Sequence, residues 1–230
     1  MLEGAIDMGP ISSFAYGASF DQYVLLPDLS VSAEGPVRSI ILFYKDSLER
    51  VKDGKIALTT ASATSVNLLK IIFEKFFGSR PSYHFAEPVL HDMMEDNDAA
   101  LLIGDDAIRA SWEDSGYRAL DLGAEWYRQT GQPMTFAVWA VRRQTAEQHA
   151  ELVERIHQAY LESKRKSKAD PSGIISAAIK RLGGSEAYWR MYFEGLTHDF
   201  SLTQRTGLKL YYEYAVELGL LPRTVPLRFF

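Results

Sequence analysis

The strongest constraint on this chain is a change of period. Up to residue 141, short apolar runs of strand type alternate with turns and with helix-type periodicity; beyond it only the helical period remains. Residues 5–11 and 23–26 read as strands, 30–36 as a loop containing Ser, Gly and Pro, and 37–44 as a strand apolar on both faces. Ahead of the first strand, Leu2-Glu3-Gly4 reads as a helix end closed by glycine. A strand at 55–58, a hydroxyl-rich run at 59–65 and a helix stopped near Phe77 by Gly78 begin a second cycle. Strands at 83–85, 99–103, 117–122 and 136–141 complete the alternation. Thereafter Thr145, with Gln148 three residues on, predicts a capped helix of about twenty residues, and Asp170-Pro171, Ser185 and Thr203 open three more.

Strands alternating with helices predict an α/β fold whose sheet is parallel or mixed and flanked by helices. The strands leave one sheet, build another and return. That pattern describes two lobes joined at a hinge, with a ligand cleft between them. Lobe I is expected to comprise 1–40 and 142–230 and lobe II 41–141, with hinge-crossing strands near 37–44 and 136–141 and a helical C-terminal part.

With 230 residues, 47% of them apolar, the chain buries a core of one large domain or two ordinary lobes. The absence of cysteine excludes disulfides, thiolate catalysis and thiolate zinc sites. Five histidines are scattered without ligand spacing, so a structural metal is not expected. The net charge of −5 is mild, and the one basic run, Lys164-Arg165-Lys166-Ser167-Lys168, reads as a solvated helix end and not as a nucleic-acid or membrane patch. Residues 1–10 lack a basic segment and an apolar core of signal type, and no apolar run reaches the ~20 residues that cross a bilayer. A cytoplasmic location is the expectation.

Four segments carry candidate chemistry. Thr59-Thr60-Ala61-Ser62-Ala63-Thr64-Ser65 lies between a buried strand and a helix start, where free amides, the helix dipole and hydroxyls together receive an anion such as a carboxylate. One N-cap needs one hydroxyl; the surplus points to a ligand. Gly9-Pro10-Ile11-Ser12-Ser13 follows a strand end, where open α/β sheets address ligands, though a plain turn capped by Ser12 or Ser13 fits equally. Arg38 opens the strand at 37–44 and either forks onto a substrate carboxylate or pairs with Glu34 at the surface. In Gly104-Asp105-Asp106, adjacent carboxylates at a strand end can supply a general acid or base, or simply complete the turn and cap the next helix. No glycine pattern supports dinucleotide or ATP binding.

Taken with Gly35-Pro36-Val37-Arg38-Ser39, Leu102-Ile103-Gly104-Asp105-Asp106-Ala107, Asp121-Leu122-Gly123-Ala124-Glu125-Trp126 and 130–140, these segments resemble, in order and over the whole chain, the chorismate dehydratase family. The resemblance implies a two-lobed, type II periplasmic-binding-protein-like fold with a hinge and inter-lobe cleft. It implies loss of water from chorismate to give 3-[(1-carboxyvinyl)oxy]benzoate, a step of menaquinone biosynthesis by the futalosine route, without cofactor. Its members carry a further strand and helix ahead of the position of Met1, lining one wall of the cleft. On this reading Asp105 and Ser62 are the catalytic candidates. Ser12, Ser13, Arg38, Ser39, Thr60, Ser62, Thr64, Ser65 and Asp105 are the candidates for holding the anionic substrate. Ala63 stands where many relatives carry a larger, often basic residue, which shifts charge recognition onto backbone amides and Arg38. The sister enzyme that forms 1,4-dihydroxy-6-naphthoate is the nearest alternative, but a histidine is expected there after the strand at 99–103, where this chain has Gly104-Asp105-Asp106. A non-catalytic solute-binding protein for a small carboxylate is the alternative of another class.

Overall fold

In the computed structural model, which describes Met1 and residues 4–230, two sheets share the strands that the sequence predicts. The helix end expected at Leu2-Glu3-Gly4 falls mostly on residues 2 and 3, outside the described residues. The chain runs β1 (Met8–Ser12), α1 (Ser13–Ala18), β2 (Tyr23–Ala33), β3 (Ile40–Tyr44), α2 (Leu48–Lys52), β4 (Lys55–Thr59) and α3 (Ala63–Ile71). A π turn, Ile72–Phe76, continues α3. Then follow β5 (Ser82–Ala86), α4 (Leu90–Glu95), β6 (Ala99–Ile103), α5 (Gly104–Trp112), β7 (Arg118–Asp121), α6 (Leu122–Thr130) and β8 (Met134–Arg142). The remainder is α7 (Arg143–Gln148), α8 (Ala150–Ala169), α9 (Ser172–Leu182), α10 (Glu186–Glu194), the short β9 (Leu196–Thr197) and α11 (Leu202–Glu217).

The first sheet has the order β1-β8-β2-β9 and is antiparallel throughout. The second has the order β5-β4-β6-β3-β7; β4 is parallel to β5 and β6, whereas β3 is antiparallel to both its neighbours. A wholly parallel sheet is therefore not formed. The chain enters the second sheet on β3, directly from β2 through residues 34–39, and β3 runs opposite to the strands beside it. Each strand expected to cross the hinge sits inside one sheet, β3 in the second and β8 in the first. The crossings are instead the short segments 34–39 and 131–133, and residues 134–141 pair with the first sheet.

Residues 30–33, read from sequence as loop, belong to β2. Serine favours loops because its hydroxyl needs a partner, and here each partner is supplied inside the protein. Ser30 Oγ lies 2.8 Å from Ser32 Oγ and donates to the Asp199 carbonyl at 2.6 Å, while Ser32 Oγ lies 2.9 Å from Thr135 Oγ1. One core cluster joins both sheets, with Leu25 and Val138 from the first, Leu42, Leu58 and Leu101 from the second, and Leu68, Leu69 and Phe73 between them. α11 packs on β8 and α3, its start fixed by a Ser201–Gln204 capping box, two residues ahead of the expected Thr203. The long helix likewise begins at Ala150; Thr145 lies within α7 and gives its hydroxyl to Asp7. The basic run on α8 is largely neutralised locally: Lys164 and Lys168 pair with Asp199, and Arg165 and Lys166 with Glu162. Among the described residues no helix is long and apolar enough to cross a membrane.

Candidate active site

Three helices start at the ends of strands that border the gap between the sheets: α1 after β1, α3 after β4 and α5 after β6. The first turn of a helix leaves its amides without intrahelical acceptors and carries positive partial charge. Ser12 caps α1, its Oγ accepting from the Ala15 amide at 3.1 Å. Ser62 caps α3, its Oγ accepting from the Ser65 amide at 3.2 Å and lying 3.0 Å from Ser65 Oγ. α5 has no side-chain cap; it opens on Gly104, whose φ of 61° glycine adopts without strain and whose missing Cβ leaves open space. The Gly104 amide donates to the Ser39 carbonyl at 2.7 Å and ties α5 to the 34–39 crossing.

These elements line an open cleft of about 290 Å³. The Ser12, Ser39, Ser62 and Ser65 residues supply its hydroxyls, and Pro10, Ile11, Ile40, Ile103 and Phe136 supply its apolar walls. Among the described residues that line it, none carries a charge. Such a space suits an apolar ring bearing anionic groups: the walls take the ring, while amides, hydroxyls and helix dipoles take the charge. Among the described residues no group of three or more His, Cys, Asp or Glu side chains is placed to hold a metal ion. A larger hollow of about 420 Å³ lies between α11 and the C-terminal tail, around Lys209, Glu213 and Val225, and shares no lining residue with this cleft.

The candidate residues divide sharply. Ser12, Ser39, Ser62 and Ser65 come together in the cleft. Ser13 does not line it; it is fully buried, with its hydroxyl donating to the Thr135 carbonyl at 2.7 Å. Thr64 is also buried, its Oγ1 accepting from the Phe14 amide at 3.0 Å, so it joins α3 to α1. Thr60 is exposed, just ahead of the cleft residue Ala61. Arg38 turns away: its Nη1 donates to the Pro36 carbonyl at 3.2 Å and packs against Gly195 at the C-terminus of α10, where a cation meets the negative end of the helix. Arg38 therefore neither pairs with Glu34 nor faces the cleft. Asp105 is held by Arg181 of α9, at 2.9 Å from Nε and 2.7 Å from Nη2, and does not line the cleft. Asp106 is exposed in the first turn and caps nothing; Ile103 occupies the cap position.

Two supporting residues escape a reading by local pattern. Asp121 caps α6 through the Ala124 amide at 2.9 Å, and the same carboxylate accepts from the amides of Val37 at 3.1 Å and Arg38 at 2.6 Å. It thereby holds Arg38 at a φ of 61°, a left-handed conformation that non-glycine residues rarely take. An acidic residue before a helix signals the cap; nothing local signals the second grip, made across more than eighty residues. Tyr192 of α10 donates its hydroxyl to Ser39 Oγ at 3.1 Å, a contact across more than 150 residues that nothing local signals. Burial pushes the Tyr192 hydroxyl above the usual tyrosine range.

Comparison with known proteins agrees with this architecture. A family model described as menaquinone biosynthesis matches residues 1–217. Over 247 aligned positions the chain is 32% identical to the chorismate dehydratase of Thermus thermophilus, covering 98% of this chain and 85% of that one. Among solved structures, a protein from Archaeoglobus fulgidus superposes with a TM-score of 0.78 at 22% identity, over 95% of this chain and 81% of that one. The periplasmic aliphatic sulphonate binding protein SsuA of Escherichia coli gives a TM-score of 0.67 at 19% identity, over 99% of this chain and 76% of that one. The two-lobed fold is that of the periplasmic binding proteins. By sequence, the chain belongs to the menaquinone-biosynthesis family and is a relative of chorismate dehydratase.

Proposed function

We propose that the protein is a cytoplasmic hydro-lyase that removes water from chorismate to give 3-[(1-carboxyvinyl)oxy]benzoate. The observation that carries the reading is the convergence of Ser12, Ser39, Ser62 and Ser65 with the starts of α1, α3 and α5 on one apolar-walled cleft. The named relative supports the choice of chorismate over other ring carboxylates. Chorismate carries two carboxylates, and the reaction breaks its C3–H and C4–O bonds, with proton and hydroxide leaving together as water. Aromatisation drives the step, so the protein has to hold, orient and shield more than to supply a strong base. Among the described residues no carboxylate or imidazole lines the cleft, and on this reading the substrate's own enolpyruvyl carboxylate takes the C3 proton. On this reading Ser62, Ser65 and the first amides of α3 hold one carboxylate, while Ser12 and Ser39 face the ring from other elements and donate to the departing hydroxyl.

The test is direct: purified protein mixed with chorismate develops the ultraviolet absorbance of the aromatic product. Ser62→Asp sharpens it, because aspartate caps a helix as well as serine does but brings a negative charge to the anion subsite. The expected result is an unchanged thermal midpoint with KM raised at least about 100-fold, since like charges in contact cost several kcal/mol. Unaltered kinetics in Ser62→Asp refute the assignment of the subsite.

A further inference from the structure

Among the described residues Ser39 is the one cleft hydroxyl that lies outside a helix start, and its surroundings are tied down. Its carbonyl accepts from Gly104, the two residues before it are gripped by Asp121, and its side chain is buried against Tyr192. With the backbone held, what remains free is the direction of the Ser39 O–H. A serine hydroxyl has one proton to give and two lone pairs to receive. Among the described residues its acceptor is the Val37 carbonyl at 3.4 Å, longer than the 3.1 Å contact to Tyr192 and far beyond the usual O–H···O distance of about 2.7–2.8 Å. The Tyr192 hydroxyl, at 3.1 Å, has Ser39 Oγ as its acceptor among the described residues. Reversing that bond strands the phenol proton in a partly buried site, which costs more than it returns. Proton counting favours one order: Tyr192 gives to Ser39, and Ser39 gives onward.

We propose that Tyr192 is a positioning residue for the dehydration: by donating to Ser39 from α10, it turns the Ser39 hydroxyl into a donor aimed at the departing oxygen in the cleft. The inference rests on the proposed function and adds to it an element from the C-terminal helical part. α10 is held in place independently of any ligand. Trp189 packs on Trp112 of α5 with ring centroids 6.0 Å apart and on Tyr192 at 5.5 Å, and Ile175 of α9 packs against Ile108. Burial keeps the phenol protonated through the neutral range, as a donor must be. Chained hydrogen bonds of this kind polarise one another, and the last donor strengthens as charge develops on the leaving oxygen.

The experiment is a double-mutant cycle on Tyr192→Phe and Ser39→Ala, read by chorismate turnover with thermal melts alongside. Tyr192→Phe keeps the ring and its packing. It is expected to lower kcat about tenfold, the worth of one hydrogen bond, with KM changed less than about threefold. Ser39→Ala is expected to lose at least as much, and the double variant no more than Ser39→Ala alone, because Tyr192 acts only through that hydroxyl. A purely structural role for Tyr192 predicts losses that multiply, and a kcat that falls only as the melting temperature falls. Either pattern overturns the proposal, as does Ser39→Ala with unimpaired kcat, a result that stands even if Tyr192→Phe fails to fold. Wild-type protein that neither binds nor converts chorismate overturns the proposed function and this inference with it. An active wild type with an unaffected Tyr192→Phe overturns the inference alone.

Discussion

At Arg38 the backbone, not the guanidinium, serves the site. Its φ of 61° and the two amide bonds to Asp121 bend the 34–39 crossing so that Ser39 enters the cleft, while the charge is spent on Pro36 and the end of α10. Arg38→Gly removes the left-handed strain but adds chain entropy to the unfolded state, two terms of about 1 kcal/mol that oppose each other. The expected outcome is a stability within about 1 kcal/mol of wild type by urea unfolding and a KM for chorismate within about threefold. A KM raised a hundredfold restores the guanidinium to the cleft. At this scale the sequence names residue types, whereas the direction of each side chain comes from the fold. Ser12 and Ser13 are adjacent and chemically identical; one faces the cleft and its neighbour donates to Thr135, over a hundred positions away.

Local pattern is most reliable for elements whose ends carry their own signals. The Ser62 cap of α3, the Ser185 cap of α10 and the strands β4, β5 and β6 stand within a residue or two of where sequence puts them. Close approaches between elements are another matter. Gly123 in the first turn of α6 lies against the crossing: a Cβ there meets the Gly35 carbonyl at 2.7 Å and Val37 Cβ at 3.1 Å. Backbone cannot step aside as a flexible side chain does. Gly123→Ala is therefore expected to destabilise the protein by about 1–3 kcal/mol in urea unfolding, the range for overpacking a tight contact. It also pushes the crossing and Ser39 off position, so chorismate affinity measured by calorimetry falls beyond what the stability loss explains. Full affinity in a folded Gly123→Ala protein contradicts the role given to this contact.

Across the whole molecule, α11 holds the site's two sides at once. Tyr212 donates to the Ser13 carbonyl at 2.6 Å and Tyr211 to the Thr64 carbonyl at 3.2 Å, so one helix fixes the starts of both α1 and α3. Both phenols are buried, and burial raises their pKa well above the ordinary tyrosine value of about 10. In the unfolded chain they lose their protons near pH ~10, whereas the folded protein keeps them, so above that pH the unfolded state binds fewer protons and folding stability declines as pH rises. Urea unfolding is expected to show full stability from these groups at pH 9 and a progressive loss above pH ~10, shallower in Tyr211→Phe. An alkaline limb identical in wild type and Tyr211→Phe removes Tyr211 from the account. By itself the sequence determined what neighbouring residues decide: the strand and helix periods, the hydroxyl-rich run at 59–65 ahead of a helix, the two-lobed order of elements and the family resemblance. Tertiary structure alone decided which hydroxyls face the cleft, that β3 runs antiparallel, that Asp105 is spent on Arg181 and that Tyr192 reaches Ser39. Those outcomes depend on register and packing between segments far apart in the chain, and a shift of one residue in a strand sends every side chain to its other face.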